Sequence, residues 1–325
     1  MKIIIPLAGL GKRLRPHTHT RAKPLVYVAG KPVLGHVLEQ VTTISDIDEV
    51  IFITGYLGKQ IEDYVKSNYN FKSRFIEQKE LKGQAHAVQL ARDYVKDDVL
   101  IWYVDTISDI DLSILKSVEN DGIIFVKEVE DPRSFGLVVT DNKGIVKNIV
   151  EKPLNPIGNL VNIGIYYVKN SGIMFECIDE LISKGMEKKG EYYLTDAFNI
   201  MIDKGIRFKT EKVSLWQDCG STENLIEANR YFLKYRTRKI PVTNSVIIDP
   251  VYIEDGVVIK NSVIGPHVSI AKNAVISDSV IQESIINKRA RIESSHLTSS
   301  IVGEDALVKG DIKKVNVGDH SEIFL

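Results

Sequence analysis

Cysteine is scarce. Two thiols, Cys177 and Cys219, occur in 325 residues. Neither belongs to a Cys-x-x-Cys pair, which argues against a zinc ribbon or a disulfide framework. So few thiols in a chain of this length fit a reducing compartment. An excess of either charge is also missing. Lys and Arg number 42 against 43 Asp and Glu, a net charge of −1, so nothing favours non-specific binding to nucleic acid or to a membrane surface. Any anionic ligand must be met by a local cluster of cations. No apolar run approaches the ~20 residues of a membrane span. The opening stretch MKIIIPLAG is too short for a leader peptide and runs into a glycine turn, not a small-residue cleavage site. These absences predict a cytoplasmic protein with neither a nucleic-acid nor a membrane partner.

What is present is an ordinary globular composition, 44% hydrophobic and 26% charged, in a chain long enough for about two domains. Short apolar runs alternate with amphipathic stretches over the first two thirds. Ile3–Ile5, Glu49–Thr54, Ser73–Gln78 and Val99–Val104 read as strands. Lys31–Thr43, Ile61–Asn68 and Gln84–Val95 read as helices from apolar residues at helical spacing. This alternation predicts an α/β domain with a mixed, mostly parallel sheet covered on both faces. Ligands in such folds sit beyond the carboxyl ends of the strands, where the glycine turn after Ile5 and Asp105 both fall.

The texture changes near Pro241. Asn244-Ser245-Val246 returns as Asn261-Ser262-Val263 and again as Asp278-Ser279-Val280, a spacing of seventeen, and within each unit Ile or Val recurs every five or six residues. Three short strands per turn, each pointing a β-branched residue inward, predict a parallel β-helix. The spacing does not fix its hand. The charged stretch Lys234–Lys239 reads as a linker, giving domains of 1–235 and 236–325.

The chemistry concentrates in Leu7–Pro32, LAGLGKRLRPHTHTRAKPLVYVAGKP. Gly9 and Gly11 follow a strand, where lack of a Cβ lets backbone N–H groups approach phosphate. Arg13 and Lys23 lie downstream, and an Arg and a Lys beside a glycine turn can neutralise a triphosphate. Asp105 ends an apolar strand, where a carboxylate needs a partner or a metal. Asp218 lies in Trp216-Gln217-Asp218-Cys219-Gly220-Ser221. Carboxylates brought together with phosphate oxygens and water would make an all-oxygen site suited to Mg²⁺; that Asp105 and Asp218 are such a pair is what the resemblance named next implies.

Gly9-x-Gly11-x-Arg13-Leu14-x-Pro16-x-Thr18, with Lys23-Pro24-Leu25 and Gly30-Lys31-Pro32, resembles the signature of the sugar-1-phosphate nucleotidyltransferases, among them the glucose-1-phosphate thymidylyl- and uridylyltransferases. The resemblance runs from residue 1 to about 235. It departs at Lys12, where Thr is usual, at His17, where an apolar residue is common, and at Val104, which replaces a Gly before the metal-binding Asp.

The resemblance implies nucleotide contacts at Leu7, Ala8, Gly9, Gly11, Gln78 and Gly83, the amide of Gln78 reading a uracil or thymine edge. It implies sugar contacts at Gly136, Glu151, Asn162, Gly164 and Glu191. Lys152 would meet the sugar phosphate, Arg13 and Lys23 the triphosphate, and Asp105 and Asp218 the Mg²⁺. Glu151-Lys152-Pro153 favours a simple hexose phosphate. By the same resemblance the β-helix is left-handed; β-helix faces and edges often mediate self-association, which leaves a homo-oligomer open. The expected reaction joins a sugar-1-phosphate, glucose-1-phosphate foremost, to a nucleoside monophosphate from dTTP or UTP and releases pyrophosphate. Two alternatives are a bifunctional uridylyltransferase and acetyltransferase acting on an amino-sugar phosphate, and a non-catalytic regulatory subunit of the same fold. His86 is read as an ordinary helix residue.

Overall fold

Ile3, Ile4 and Ile5 have no exposed surface. A β-branched run buried on both faces is what a central parallel strand requires. It forms strand β1 (Lys2–Pro6) in a computed structural model describing residues 1–311 and 313–324. By internal contacts the chain divides into two units. One comprises Met1–Gly9 and Val37–Trp216; the other comprises Leu10–His36 and Gln217–Leu325.

In the first unit β1 pairs in parallel with β2 (Glu49–Thr54) on one side, and β2 with β3 (Ser73–Glu77). On its other side β1 pairs in parallel with β4 (Val99–Trp102). Beyond β4 the sheet changes direction. Strands β5 (Gly122–Glu128), β6 (Gly136–Thr140) and β7 (Val146–Glu151) are followed by β8 (Leu160–Val168), which runs antiparallel to β4, β5 and β6. β7 is antiparallel to β6, and β9 (Phe208–Lys212) pairs in parallel with β5. The result is a nine-stranded mixed sheet.

The helices are shorter than their periodicity suggests. α1 spans Val33–Val41, because Lys31–Pro32 is taken up by a hairpin with Tyr27–Val28. α2 runs Gly58–Asn68. α3 (Gln84–Gln89) stops early and a 3₁₀ turn at Arg92–Tyr94 completes the segment. α4 (Ser171–Ser183) and α5 (Leu194–Asp203) bury Phe175, Ile178, Phe198 and Met201 in the core that also holds Ile4, Ile51 and Ile101.

The β-helix belongs to the second unit, with α6 (Thr222–Leu233). Its strands stack into three parallel sheets of four, five and five. Val246 faces Val263 and Val263 faces Val280, each seventeen apart. Later coils shorten: Val280 pairs with His296, and Leu307 with Glu322.

The Asn-Ser-Val repeat has a physical reason. Asn244, Asn261 and Asp278 take left-handed backbone conformations at the corners, which Asn and Asp tolerate better than most side chains. The serine that follows accepts a hydrogen bond from the coil above. Ser262 N donates to Ser245 Oγ, Ser279 N to Ser262 Oγ and Ser295 N to Ser279 Oγ, each at 3.1 Å. The inward Val and Ile make a separate apolar core, including Ile253, Ile270, Ile286 and Val302.

Candidate active site

In the first unit the base-reading and sugar-reading candidates share a hydrogen-bonded framework. Gln78 follows β3 and is 5% exposed. Its Nε2 donates to Gly83 O at 3.1 Å and to His86 Nδ1 at 3.0 Å. Both amide protons are thereby occupied, and the fixed amide presents Oε1 as an acceptor, suited to an imide N–H. Burial holds the His86 pKa below its usual value, so the ring is neutral near pH 7 and Nδ1 can accept. His86 thus sets which face Gln78 offers, a role its helical spacing does not disclose. One turn earlier, Gly83 adopts φ +94°, and a Cβ there would lie 2.6 Å from Tyr192 O. Its neighbours bind Tyr192 directly: Ala85 N donates to Tyr192 O at 3.0 Å and Tyr192 N to Lys82 O at 2.8 Å. Glu191 stands exposed at the end of a tight turn whose central residues, Lys189 and Gly190, both have positive φ.

The sugar-side candidates Gly136, Glu151 and Asn162 meet across β6, β7 and β8. A Cβ on Gly136 would lie 2.0 Å from Asn162 Nδ2 and 3.2 Å from Glu151 Oε2. Asn162 Nδ2 donates to Gly136 O at 3.0 Å and its Oδ1 accepts from Tyr166 Oη at 2.6 Å, so the side chain is a strut with one N–H to spare. Burial raises the Glu151 pKa against the opposing pull of Lys152, while Thr195 Oγ1 donates to Glu151 Oε2 at 3.3 Å. Lys152 is exposed and holds φ +47°, a strained backbone for a lysine. Its Nζ lies 3.9 Å from Glu151 Oε1 and 5.5 Å from the Tyr193 ring centroid.

Gly164 (φ +79°) sits where the β8 register shifts, against the Tyr103 ring. Asp105 is half-buried just after β4. Burial, with Tyr166, Glu151 and Asp105 beside it, keeps the Tyr103 phenol neutral. The Tyr103 ring packs edge-on against Tyr166 at 5.8 Å between centroids, a residue that sequence reading passed over. Leu7 and Ala8 are buried past the end of β1, and Leu7 N donates to Ile53 O at 2.7 Å. Gly9 is exposed, and a Cβ there would meet no atom within 4 Å.

The second unit carries Gly11, Arg13, Lys23 and Asp218. Gly11 has φ +61°, and a Cβ would be 3.0 Å from both Lys23 Cβ and Thr18 Cγ2, so the turn packs directly on the lysine stem. Thr18 Oγ1 donates to Gly11 O at 2.9 Å. Arg13 and Asp218 converge on Gly220: a Cβ there would lie 2.7 Å from Arg13 Nη2 and 2.8 Å from Asp218 Oδ1. The carboxylate is oriented from the start of α6. Gly220 N donates to Oδ1 and Asn224 Nδ2 to Oδ2, both at 2.8 Å. Such outer partners are what a metal-ligating carboxylate needs to hold its direction. Among the described residues no group of three or more His, Cys, Asp or Glu is arranged to hold a metal, and Cys177 and Cys219 are free and buried. No helix among these residues is long and apolar enough to cross a membrane.

Comparison with known proteins identifies the family. The bifunctional protein GlmU of Methanocaldococcus jannaschii is 35% identical over 94% of this chain and 78% of its own length. A glucose-1-phosphate thymidylyltransferase of Streptomyces griseus is 29% identical over 99% of this chain and 98% of its own. A crystal structure of UDP-glucose pyrophosphorylase with UDP-glucose matches 72% of this chain and 98% of its own with a TM-score of 0.62 at 24% identity, a likeness of fold. The family model described as nucleotidyl transferase matches residues 2–235, and the chain belongs to that family.

Proposed function

We propose that this enzyme transfers a nucleoside monophosphate from dTTP or UTP to a sugar-1-phosphate, glucose-1-phosphate foremost, yielding an NDP-sugar and pyrophosphate. The observation that carries the reading is the convergence of the Arg13 guanidinium and the Asp218 carboxylate on Gly220, in the unit where Lys23 packs on Gly11. A fixed cation beside a fixed carboxylate suits a triphosphate presented with a dication.

An oxygen of the sugar phosphate attacks the α-phosphorus, a new P–O bond forms, and the bond to the β-phosphate bridge breaks to release pyrophosphate. No side chain serves as a covalent nucleophile, so the protein contributes orientation and charge neutralisation. Arg13 stabilises the leaving pyrophosphate, and Lys23 and Lys152 offset the charge of the two anionic substrates. Gln78 accepts from the base N–H, and Glu151 and Glu191 accept from sugar hydroxyls. Asp105 and Asp218 are hard oxygen donors and fit Mg²⁺, which when bound neutralises charge on the α-phosphate. One methyl separates thymine from uracil and is worth only ~1–3 kcal/mol in a pocket, so both bases enter the proposal. Small-molecule substrates complete the set of partners, and the scarcity of cysteine favours a cytoplasmic enzyme.

The test is a matrix of nucleoside triphosphates against sugar-1-phosphates, read by pyrophosphate release with and without chelator. Asp105→Asn and Asp218→Asn are expected to lose about 10²-fold or more in kcat with the fold retained. Near-normal turnover in both would defeat the metal assignment, and silence across the matrix would favour the regulatory-subunit reading. A second reading adds acyl transfer by the β-helix, favoured by the word bifunctional in the name of the M. jannaschii relative. Consumption of acetyl-CoA with an amino-sugar phosphate would establish it.

A further inference from the structure

The glycine-turn segment Leu10–His36 belongs to the same unit as the β-helix, although some 200 to 300 residues separate them. Its contacts with the helix are specific and polar. His17, 4% exposed, bonds through Nε2 to Asn316 Oδ1 at 2.6 Å. Thr20 Oγ1 donates to Asp319 Oδ2 at 2.6 Å. Arg21 Nη2 pairs with Glu304 and lies 3.9 Å from Asp319 Oδ2. These two carboxylates come from successive coils that are themselves joined, Glu304 N donating to Asp319 Oδ1 at 2.7 Å. Arg21, Glu304 and Asp319 are each four-fifths or more buried at the side chain, unlike an exposed ion pair of negligible worth. Further along, the Ala29–Gly30 turn is pinned from below. Ala29 N donates at 3.0 Å to Asn229 Oδ1, and the fully buried Asn229 also accepts from Ser269 Oγ at 2.7 Å.

The segment is therefore fastened on both sides of Lys23, which is two residues from Arg21. Thr18, one residue from His17, bonds Gly11 O. A shift of the anchored stretch passes directly to the lysine and to the glycine turn, because both are packed against each other at contact distance.

We propose that Arg21 is a positioning residue for nucleotidyl transfer, and that Glu304 and Asp319 on the β-helix form its seat. The β-helix is then the mount that sets the nucleotide-phosphate turn, beyond any part it has in stability. This rests on the reading that Arg13 and Lys23 meet the triphosphate.

The experiment uses the full chain with the double substitution E304Q/D319N, which removes both charges at nearly constant shape and leaves Arg13 and Lys23 untouched. The expected result is a rise of about tenfold or more in KM for the nucleoside triphosphate, with KM for the sugar-1-phosphate held within about twofold. R21K, which keeps the charge and loses the planar fork, should fall between wild type and the double variant. A lower Tm with both KM values unchanged below that Tm would show a merely structural contact and overturn the proposal. Should E304Q/D319N fail to fold, R21K and T20V report instead, and wild-type nucleotide KM in both overturns it equally. Inactive wild type, or fully active R13A, would strike the reading of the phosphate turn itself. Active wild type with inactive R13A and an unshifted E304Q/D319N would strike this proposal alone.

Discussion

Replacing Gly220 by Ala adds one methyl group at the point where Arg13 and Asp218 meet. The backbone there is not in the left-handed region, so alanine is conformationally allowed. The Gly220 N–H that donates to Asp218 Oδ1 is also retained, so the methyl is the only change. It would stand 2.7 Å from Arg13 Nη2 and 2.8 Å from Asp218 Oδ1. Ordinary contact needs about 3.5 Å, so one or both groups must move by about 0.7 Å. A misplacement of that size in a site that works by positioning lowers kcat/KM by about 10- to 100-fold. Stability should change little. Alanine restricts the unfolded chain, worth ~0.4–1 kcal/mol, and local overpacking opposes this by a similar amount. The assay is steady-state pyrophosphate release alongside thermal unfolding. Wild-type kcat/KM in folded G220A would refute the claim that the spacing of Arg13 and Asp218 about Gly220 matters to turnover.

Gly9→Ala makes the complementary test. A Cβ there touches no protein atom, so Tm should be unchanged, while a methyl intruding on bound phosphate should raise nucleotide KM about tenfold; an unchanged KM would remove Gly9 from the phosphate site. His86 supplies a pH test. Its folded pKa lies below the unfolded value of 6.5, so the stability it contributes is complete above pH 6.5 and is lost as pH falls from there through the folded pKa. Protonation at that lower pH turns Nδ1 into a donor facing the Gln78 amide donor, and nucleotide KM should rise by about tenfold, the worth of one oriented hydrogen bond. His86→Asn, which offers an acceptor that does not titrate, should keep the neutral-pH KM and lose the acid limb; an identical acid limb in that variant would absolve His86.

Much of the fold was legible because burial and backbone geometry leave marks in local sequence. The β-branched runs of β1 and β2 announce central strands. The Asn-Ser-Val repeat announces β-helix corners because the αL position and the serine acceptor each demand a particular residue type. The repeat blurs toward the end of the chain, where registers shorten: His296 stands in line with Val280, and Glu322 with Leu307. Periodicity overstated α3, since it records which residues face the core and not where the hydrogen-bonding pattern tightens. The candidate site was legible through its glycines and charges. His86 and Tyr103 were not, because their contacts, with Gln78 for the one and with Gly164 and Tyr166 for the other, are not specified by spacing alone. The attachment of Leu10–His36 to the β-helix was the least legible of all. It rests on pairs such as His17–Asn316 and Arg21–Glu304, nearly 300 residues apart.

A reaction without a covalent nucleophile depends on how rigidly its charges are held. Arg13 and Lys23 lie on short 3₁₀ stretches and Asp218 on a brief strand, none of which can fix a side chain by itself. The rigidity must come from what those elements are bonded to. For Asp218 it comes from Gly220 N, just before α6, and from Asn224 in its first turn. For the glycine-turn segment it comes from stacked coils whose corner serines repeat the same hydrogen bond from one level to the next. A ladder of that kind resists local distortion because displacing one coil strains the bonds above and below it. On the proposed reading, the segment that meets the nucleotide phosphates inherits that stiffness, which gives a reason for polar, largely buried side chains such as Arg21, Asp319 and Asn229 at its contacts with the β-helix and α6.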